Sequence, residues 1–317
     1  MKLGILGTGK IVKDLLSTIH VLPFTSLSIM GVPELEDETR ELAARYDINH
    51  VWFDYQDMLN SDVDTIYVAL PNHLHYSFAS EALQHGKHVI IEKPITIHMH
   101  ELQALKDIAE ENNLIILEAM NIHYLPSYLS LKHEIDKIGA IKLVTLNYSQ
   151  YSSRYKDFLA GTIHPAFDAL KGGGALMDIN IYNIHFVVGL FGEPITTNYF
   201  ANIQRDIDTS GIMVLDYGDF KCTCIGAKDC KAPANSTIQG ENGSIKIALP
   251  VNQMLGYDLI MNDGKTASYD FNDKKHRLSY EFQEFIRIID NLDFETANKS
   301  LKISTTSFEI IENSLKK

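Results

Sequence analysis

The sequence predicts an α/β protein of two domains. Residues 1–120 read as a doubly wound parallel sheet. Residues 121–317 read as an α+β domain with a mostly antiparallel, open sheet. Three observations carry this. The chain has 317 residues, long for a single core. Up to residue 120, short unbroken apolar runs alternate with helical stretches, the rhythm of βαβ units whose strands are covered on both faces. Beyond it, alternating strands follow one another without helices between them.

In the first half the strands are expected at 2–6, 26–32, 64–70, 87–92 and 114–120. The segments between them, 11–20, 35–46, 77–86 and 100–113, have helical character. In 35–46, for example, Leu35, Leu42, Ala43 and Tyr46 recur at helical spacing. A helix over 126–137 then leads into a long alternating strand from Ile141. After 168–190 come strands at 196–204, 210–218, 220–227, 236–240, 243–249, 257–262 and 265–271. Helices at 278–292 and after Ser304 close the chain.

Composition excludes several classes. Hydrophobic content of 45% and charged content of 22% are ordinary for a globular protein. A net charge of −13 argues against nucleic acid and against anionic membrane surfaces. No stretch is expected to reach the roughly 20 apolar residues of a membrane span. The N-terminus MKLGILGTG reads as a strand and not as a signal peptide, which points to the cytoplasm. Cys222, Cys224 and Cys230 are an odd set for disulfides. Cys222 and Cys224 lie on one face of an alternating strand, where packing is the expected role, so no metal site is expected.

Gly7-Thr8-Gly9-Lys10-Ile11-Val12 follows the first strand and opens the first helix. The first glycine permits a tight turn, and the second lets backbone approach a pyrophosphate at the helix start. Val12 stands where the full fingerprint has a third glycine. Glu34, at the end of the second strand, is placed to accept hydrogen bonds from a ribose diol and to repel a 2′-phosphate. It can also stabilise the second helix as an N-terminal acid. No arginine precedes Arg40, so NAD is the expected cofactor, with NADP possible.

Two further stretches carry chemistry. HVIIEKPIT, residues 88–96, ends a buried strand in Glu92-Lys93-Pro94, at the sheet edge where doubly wound folds bind ligands. In Lys171-Gly172-Gly173-Gly174-Ala175-Leu176-Met177-Asp178, the glycines allow close approach of a ligand. The segment after them reads as a helix, which puts Asp178, Tyr182 and His185 on one face. Packing or helix capping would also account for each of these three residues.

With the glycine turn, VALPNHLH, GKHVIIEKP, the EAM strand and KGGGALMDINIYNIH in this order, the chain resembles the glucose–fructose oxidoreductase/inositol dehydrogenase (Gfo/Idh/MocA) family. Within it, the dihydrodiol dehydrogenase-like branch is the nearer match. The resemblance implies a Rossmann domain plus an open-sheet α+β domain. It implies that Lys93 is the catalytic lysine, Glu92 its companion acid and Tyr182 the acid/base in place of a histidine. Tyrosine ordinarily ionises near pH 10, and an ammonium beside it favours the phenolate. Asp178 would hold the substrate or the lysine, Pro71 and Asn72 would line the nicotinamide side, and His75 would stand near the cofactor. The family's Trp-x-Arg is replaced by Asn121, Ile122 and His123, and a usual glycine by Asn180.

The function implied is NAD(P)-dependent hydride transfer to or from a sugar, cyclitol or related small carbinol or carbonyl. An NAD-using glycosidase or lyase without net redox and a non-catalytic NAD or sugar sensor are the alternatives. The alternating strands over 195–271 offer more apolar face than two helices cover, so a homodimer or homotetramer is expected.

Overall fold

The computed structural model describes residues 1–316. Its chain forms two compact units. The first comprises Met1–Ala119 together with Lys275–Ser304, and the second Met120–Lys274 together with the residues from Thr305 onward. The boundary near residue 120 is thus accompanied by a return of the chain to the first unit.

The first unit holds a six-stranded parallel sheet: β1 (Lys2–Leu6), β2 (Ser26–Met30), β3 (His50–Trp52), β4 (Thr65–Val68), β5 (His88–Glu92) and β6 (Ile116–Ala119). Their order is β3-β2-β1-β4-β5-β6, the doubly wound arrangement with its switch of direction at β1 and β4. Ile5, Ile66, Tyr67, Ile90 and Ile91 are fully buried, as unbroken apolar runs require. The helices are α1 (Lys10–Leu16), α2 (Glu36–Arg45), α3 (Tyr55–Leu59), α4 (His75–Gln84) and α5 (Met99–Asn112). Only β3 and α3 are absent from the sequence reading. β3 has three residues and none is fully buried, so it carries almost no periodic signal.

The second unit holds α6 (Pro126–Glu134), β7 (Ile141–Ser149), α7 (Tyr155–Leu159), α8 (Ile181–Phe191), β8 (Thr196–Gln204), β9 (Ile207–Asp216), β10 (Lys221–Ala227), β11 (Ser236–Gly240), β12 (Gly243–Ile247), β13 (Gly256–Met261) and β14 (Thr266–Asp270). The eight strands run β14-β13-β12-β11-β7-β10-β9-β8. Every pair is antiparallel except β7 with β10. The expected two-part α/β architecture with a mostly antiparallel second sheet is what the chain adopts.

Two helices close the chain. α9 (Arg277–Asp290) buries Leu278, Phe282, Phe285, Ile286 and Ile289. Phe282 meets Tyr67 edge-on at 5.1 Å and Phe24 at 6.4 Å. The N-terminal ammonium of Met1 pairs with Asp290 at 2.7 Å. These contacts bind α9 to the first sheet and explain why 275–304 counts with it. α10 (Phe294–Leu315) begins ten residues before the expected Ser304 start.

The expectation that no stretch approaches a membrane span needs correction. Ala169–Phe191 contains a window long and apolar enough by composition, and 67% of that window is buried inside the protein. Three short pieces make up the segment: a turn of 3-10 helix (Ala169–Lys171), a π turn (Leu176–Asn180) and α8. From Ala175 to Val188 most of its apolar side chains pack in the protein core, while Leu170 is exposed.

Candidate active site

In the first unit, the carboxyl ends of β1, β4 and β5 carry the expected residues. Gly7 turns the chain at φ +104°, where a Cβ would lie 2.9 Å from the Ala69 carbonyl oxygen. Gly9 is the N-cap of α1, and no atom lies within 4 Å of where its Cβ would sit. That open cradle at the helix start fits a phosphate approaching the backbone. Thr8 and Ile11 are half-buried beside it, and Val12 is fully buried. Lys10 is exposed and pairs with Asp14 at 2.9 Å. Val12 packs where a third glycine would bring helix and sheet closer.

Glu34 lies in an exposed 3-10 turn (Pro33–Leu35) after β2, followed by Glu36, Asp37 and Glu38 in the first turn of α2. Arg40, the first arginine of the region, donates to Glu36 at 2.7 Å and stacks 5.2 Å from the Phe53 ring. Both possible roles of Glu34, toward a ribose and toward the helix, suit this exposed acidic turn.

After β4, Pro71 is exposed and caps a 3-10 turn (Asn72–Leu74), with Asn72 half-buried. His75 is fully buried, its Nδ1 2.8 Å from the Pro94 carbonyl and its Nε2 2.8 Å from the Leu70 carbonyl. Burial pushes its pKa down and the two carbonyls pull it up. The ring ties the loop after β4 to the loop that bears Lys93.

Glu92 ends β5, Lys93 follows it, and the Lys93–Pro94 bond is cis. Glu92 Oε1 accepts from the Tyr67 hydroxyl at 2.5 Å, and Oε2 from the Lys93 N–H at 3.3 Å. Two further acids near it are buried. Glu118 Oε1 on β6 accepts from the Ile95 N–H at 3.0 Å, which anchors the chain just past Lys93. Glu281 on α9 is 0% exposed, and neither carboxyl oxygen has a hydrogen-bond partner among the described residues. Burial raises all three: Glu92 against the opposing pull of Tyr67 and the Lys93 ammonium, Glu118 to about 7, and Glu281 well above the carboxylate range, further raised by the charges of Glu92 and Glu118. Arg277 and Lys93 lower them in part. Lys93 thus stands beside three acids, Glu92 half-buried and Glu118 and Glu281 buried, whose charge Lys93 and Arg277 offset in part.

Sequence reading missed Glu118, Glu281 and Tyr67. A signal existed for two of them. Glu118 interrupts an otherwise apolar strand, and Glu281 adjoins Phe282 on a strongly amphipathic helix.

In the second unit, the glycine segment is shaped by Asp208. Its Oδ2 accepts from the Leu176 N–H and from the Tyr199 hydroxyl, each at 2.6 Å. Gly174 has φ +108°, and a Cβ there would fall 2.1 Å from Asp208 Oδ1. The helix expected from Asp178 begins as the π turn, which passes directly into α8. The structure places Asp178 in the π turn, whose bonds run from i to i+5, and Tyr182 in the first turn of α8. Asp178 accepts from Lys228 Nζ at 2.7 Å. The half-buried Tyr182 lies against Tyr148, ring centroids 5.9 Å apart. His185 is fully buried, its Nδ1 3.3 Å from His123 Nε2, and burial holds both rings neutral, His123 at about 3.

The departures from the family pattern have structural partners. Asn121 donates to the Asn252 carbonyl at 2.8 Å. Asn180 donates to the Cys224 carbonyl at 2.9 Å and accepts from Asn183, joining α8 to β10. Cys222 and Cys224 are both fully buried, sulfurs 3.7 Å apart. No cluster of three metal-ligating side chains occurs among the described residues.

Residues 1–120 match the oxidoreductase family profile described as an NAD-binding Rossmann fold, GFO_IDH_MocA, and residues 128–246 match the GFO/IDH/MocA C-terminal domain. The scyllo-inositol 2-dehydrogenase (NADP(+)) IolU of Bacillus subtilis is 34% identical over 279 residues, 87% of this chain and 84% of that protein. A trans-1,2-dihydrobenzene-1,2-diol dehydrogenase of Xenopus tropicalis is 25% identical, covering 85% of this chain and 81% of its own. The crystal structure of KijD10, a 3-ketoreductase from Actinomadura kijaniata in complex with NADP and TDP-benzene, superimposes with a TM-score of 0.84 at 20% identity, over 97% of this chain and 95% of that one. At that identity the likeness speaks for the fold. On the sequence match along most of its length, the chain belongs to the Gfo/Idh/MocA family of NAD(P)-dependent oxidoreductases.

Proposed function

We propose that this protein interconverts a carbinol and a carbonyl on a sugar, cyclitol or related small polyol. NAD(P), when bound, supplies the acceptor or donor of the hydride. Gly7, Thr8, Gly9, Lys10 and Ile11 hold its pyrophosphate, Glu34 its adenosine ribose, and Pro71 and Asn72 the nicotinamide side. His75 acts on this site by bracing the Lys93 loop. Lys93 polarises the substrate oxygen, and Glu92 sets its position. Tyr182 takes the hydroxyl proton in oxidation and returns it in reduction. Asp178 accepts a hydrogen bond from a substrate hydroxyl. The observation that carries the reading is the Lys93 loop itself: a buried strand delivers one lysine at the ligand-binding edge of the sheet, and its backbone is fixed by Glu118 and His75.

IolU is named for NADP(+). In this chain, the acids from Glu34 onward and the engaged Arg40 support NAD. A working place in the cytoplasm, where the cofactor is abundant, and assembly as a dimer or tetramer complete the reading. Assembly is supported by the exposed apolar residues of the second sheet, Phe200 at 65% and its neighbour Ile212 at 42%.

The test is reduced-cofactor formation at 340 nm from NAD and NADP with scyllo-inositol, myo-inositol, D-xylose, D-glucose and trans-dihydrodiols. Steady turnover of any polyol or sugar supports the reading. Release of a leaving group without NAD(P)H build-up contradicts it in favour of a glycosidase or lyase.

A further inference from the structure

Lys228, the residue after β10, is 2% exposed. A buried ammonium is costly unless its charge and its protons are matched. Here they are matched by three segments of the second unit. The backbone N–H donates to the Thr209 carbonyl on β9 at 2.8 Å, which fixes the root of the side chain. Nζ donates to Asp178 Oδ2 in the π turn at 2.7 Å and to the carbonyl of Ala166. It also lies 4.6 Å from the centroid of the Phe167 ring. Phe167 stacks on Phe158 at 4.8 Å, within a small core that includes Tyr155 and Ile207.

One cation therefore ties Asp178 to the loop between β7 and the glycine segment. The pair is asymmetric. Lys228 is enclosed, while Asp178 is 30% exposed. A carboxylate gripped from the protein side keeps its charge and orientation and accepts only, as recognition of a hydroxyl requires. Surface ion pairs are too weak and mobile for that purpose. A buried, hydrogen-bonded lysine is not.

We propose that Lys228 is a positioning residue for the substrate site: it holds the Asp178 carboxylate in place and fastens the Ala166–Phe167 loop to it. The inference rests on the reading of Asp178 as a substrate-holding group. It assigns Lys228 no contact with the reacting atoms.

Four proteins decide it: wild type, Lys228→Met, Asp178→Asn and the double variant. Each is assayed with the best-turned-over compound of the panel above, and NAD(P)H binding is titrated by fluorescence. Lys228→Met should keep cofactor affinity within about twofold. It should raise KM at least tenfold, ~1.4 kcal/mol, with a smaller change in kcat. On the Asp178→Asn background, adding Lys228→Met should change kcat/KM by less than about threefold, because residues that act through one another are not additive. Independent, multiplying effects would overturn the proposal, as would an unchanged KM in Lys228→Met beside a disabled Asp178→Asn. An Asp178→Asn enzyme of near wild-type kcat/KM would remove the Asp178 reading and the Lys228 proposal together. Should Lys228→Met fail to fold, the double variant lacks both charges and must fold and match Asp178→Asn; a mismatch refutes the proposal.

Discussion

At the scale of single residues, the buried acids around Lys93 make the sharpest statement. Glu118 has its pKa raised from 4.5 to about 7 by burial. The folded state therefore holds this proton more tightly than the unfolded one. The cost of burial is absent below about pH 4.5, grows as pH rises, and is complete above about 7. Glu118→Gln keeps an acceptor for the Ile95 N–H and cannot ionise. It should match wild type in stability near pH 4 and exceed it at pH 8, by up to about 3 kcal/mol. Denaturant unfolding at the two pH values checks this; a variant weaker than wild type at pH 8 would show that Glu118 is needed as an anion. Glu34 supports a second expectation. NAD should bind more tightly than NADP, and Glu34→Gln should narrow the difference. If titration finds NADP more than about tenfold tighter, ~1.4 kcal/mol, the ribose role of Glu34 fails. The sequence disclosed the residues that break a pattern, such as Lys93 at the tip of an apolar strand. It did not disclose partners that meet only in three dimensions. Lys228 follows an ordinary strand, and nothing in its neighbours announces that it closes on Asp178, 50 residues earlier.

At the scale of elements, the parallel sheet was almost wholly legible because each of its long strands is an unbroken apolar run between helices of regular period. The antiparallel strands were legible by alternation. What escaped was short or irregular: β3, α3, α7, the early start of α10 and the π turn at Leu176–Asn180. A π turn has no sequence period of its own over five residues, so the segment read as simple helix. Its geometry depends on the glycines and on Asp208, which hydrogen-bonds the Leu176 N–H. Gly174→Ala meets both a positive φ and the Asp208 carboxylate. The change should cost on the order of 1–3 kcal/mol from backbone strain alone and lower turnover while cofactor binding, which belongs to the first unit, stays within about twofold. Thermal unfolding and NAD(P)H titration check the pair of outcomes. Unchanged stability would mean that the turn relaxes freely and does not constrain Asp178.

At the scale of the whole molecule, the glycine turn and Lys93 lie in the first unit, and Tyr182 and Asp178 in the second. The apolar open face of the second sheet should bring copies of the chain together. Sedimentation at micromolar concentration should show a dimer or tetramer, and Phe200→Asp should shift it toward monomer; a wild-type monomer contradicts the assembly. The central claim is that the family's chemistry operates here through Lys93 and Tyr182. It is tested most directly by single-turnover NAD(P)H formation in wild type, Lys93→Met and Tyr182→Phe, each saturated with cofactor and with the preferred polyol or sugar. The account predicts that both variants bind cofactor as wild type does and lose on the order of 10²–10⁴ in the rate of the chemical step. A Tyr182→Phe or Lys93→Met enzyme that forms NAD(P)H at near the wild-type rate would contradict it.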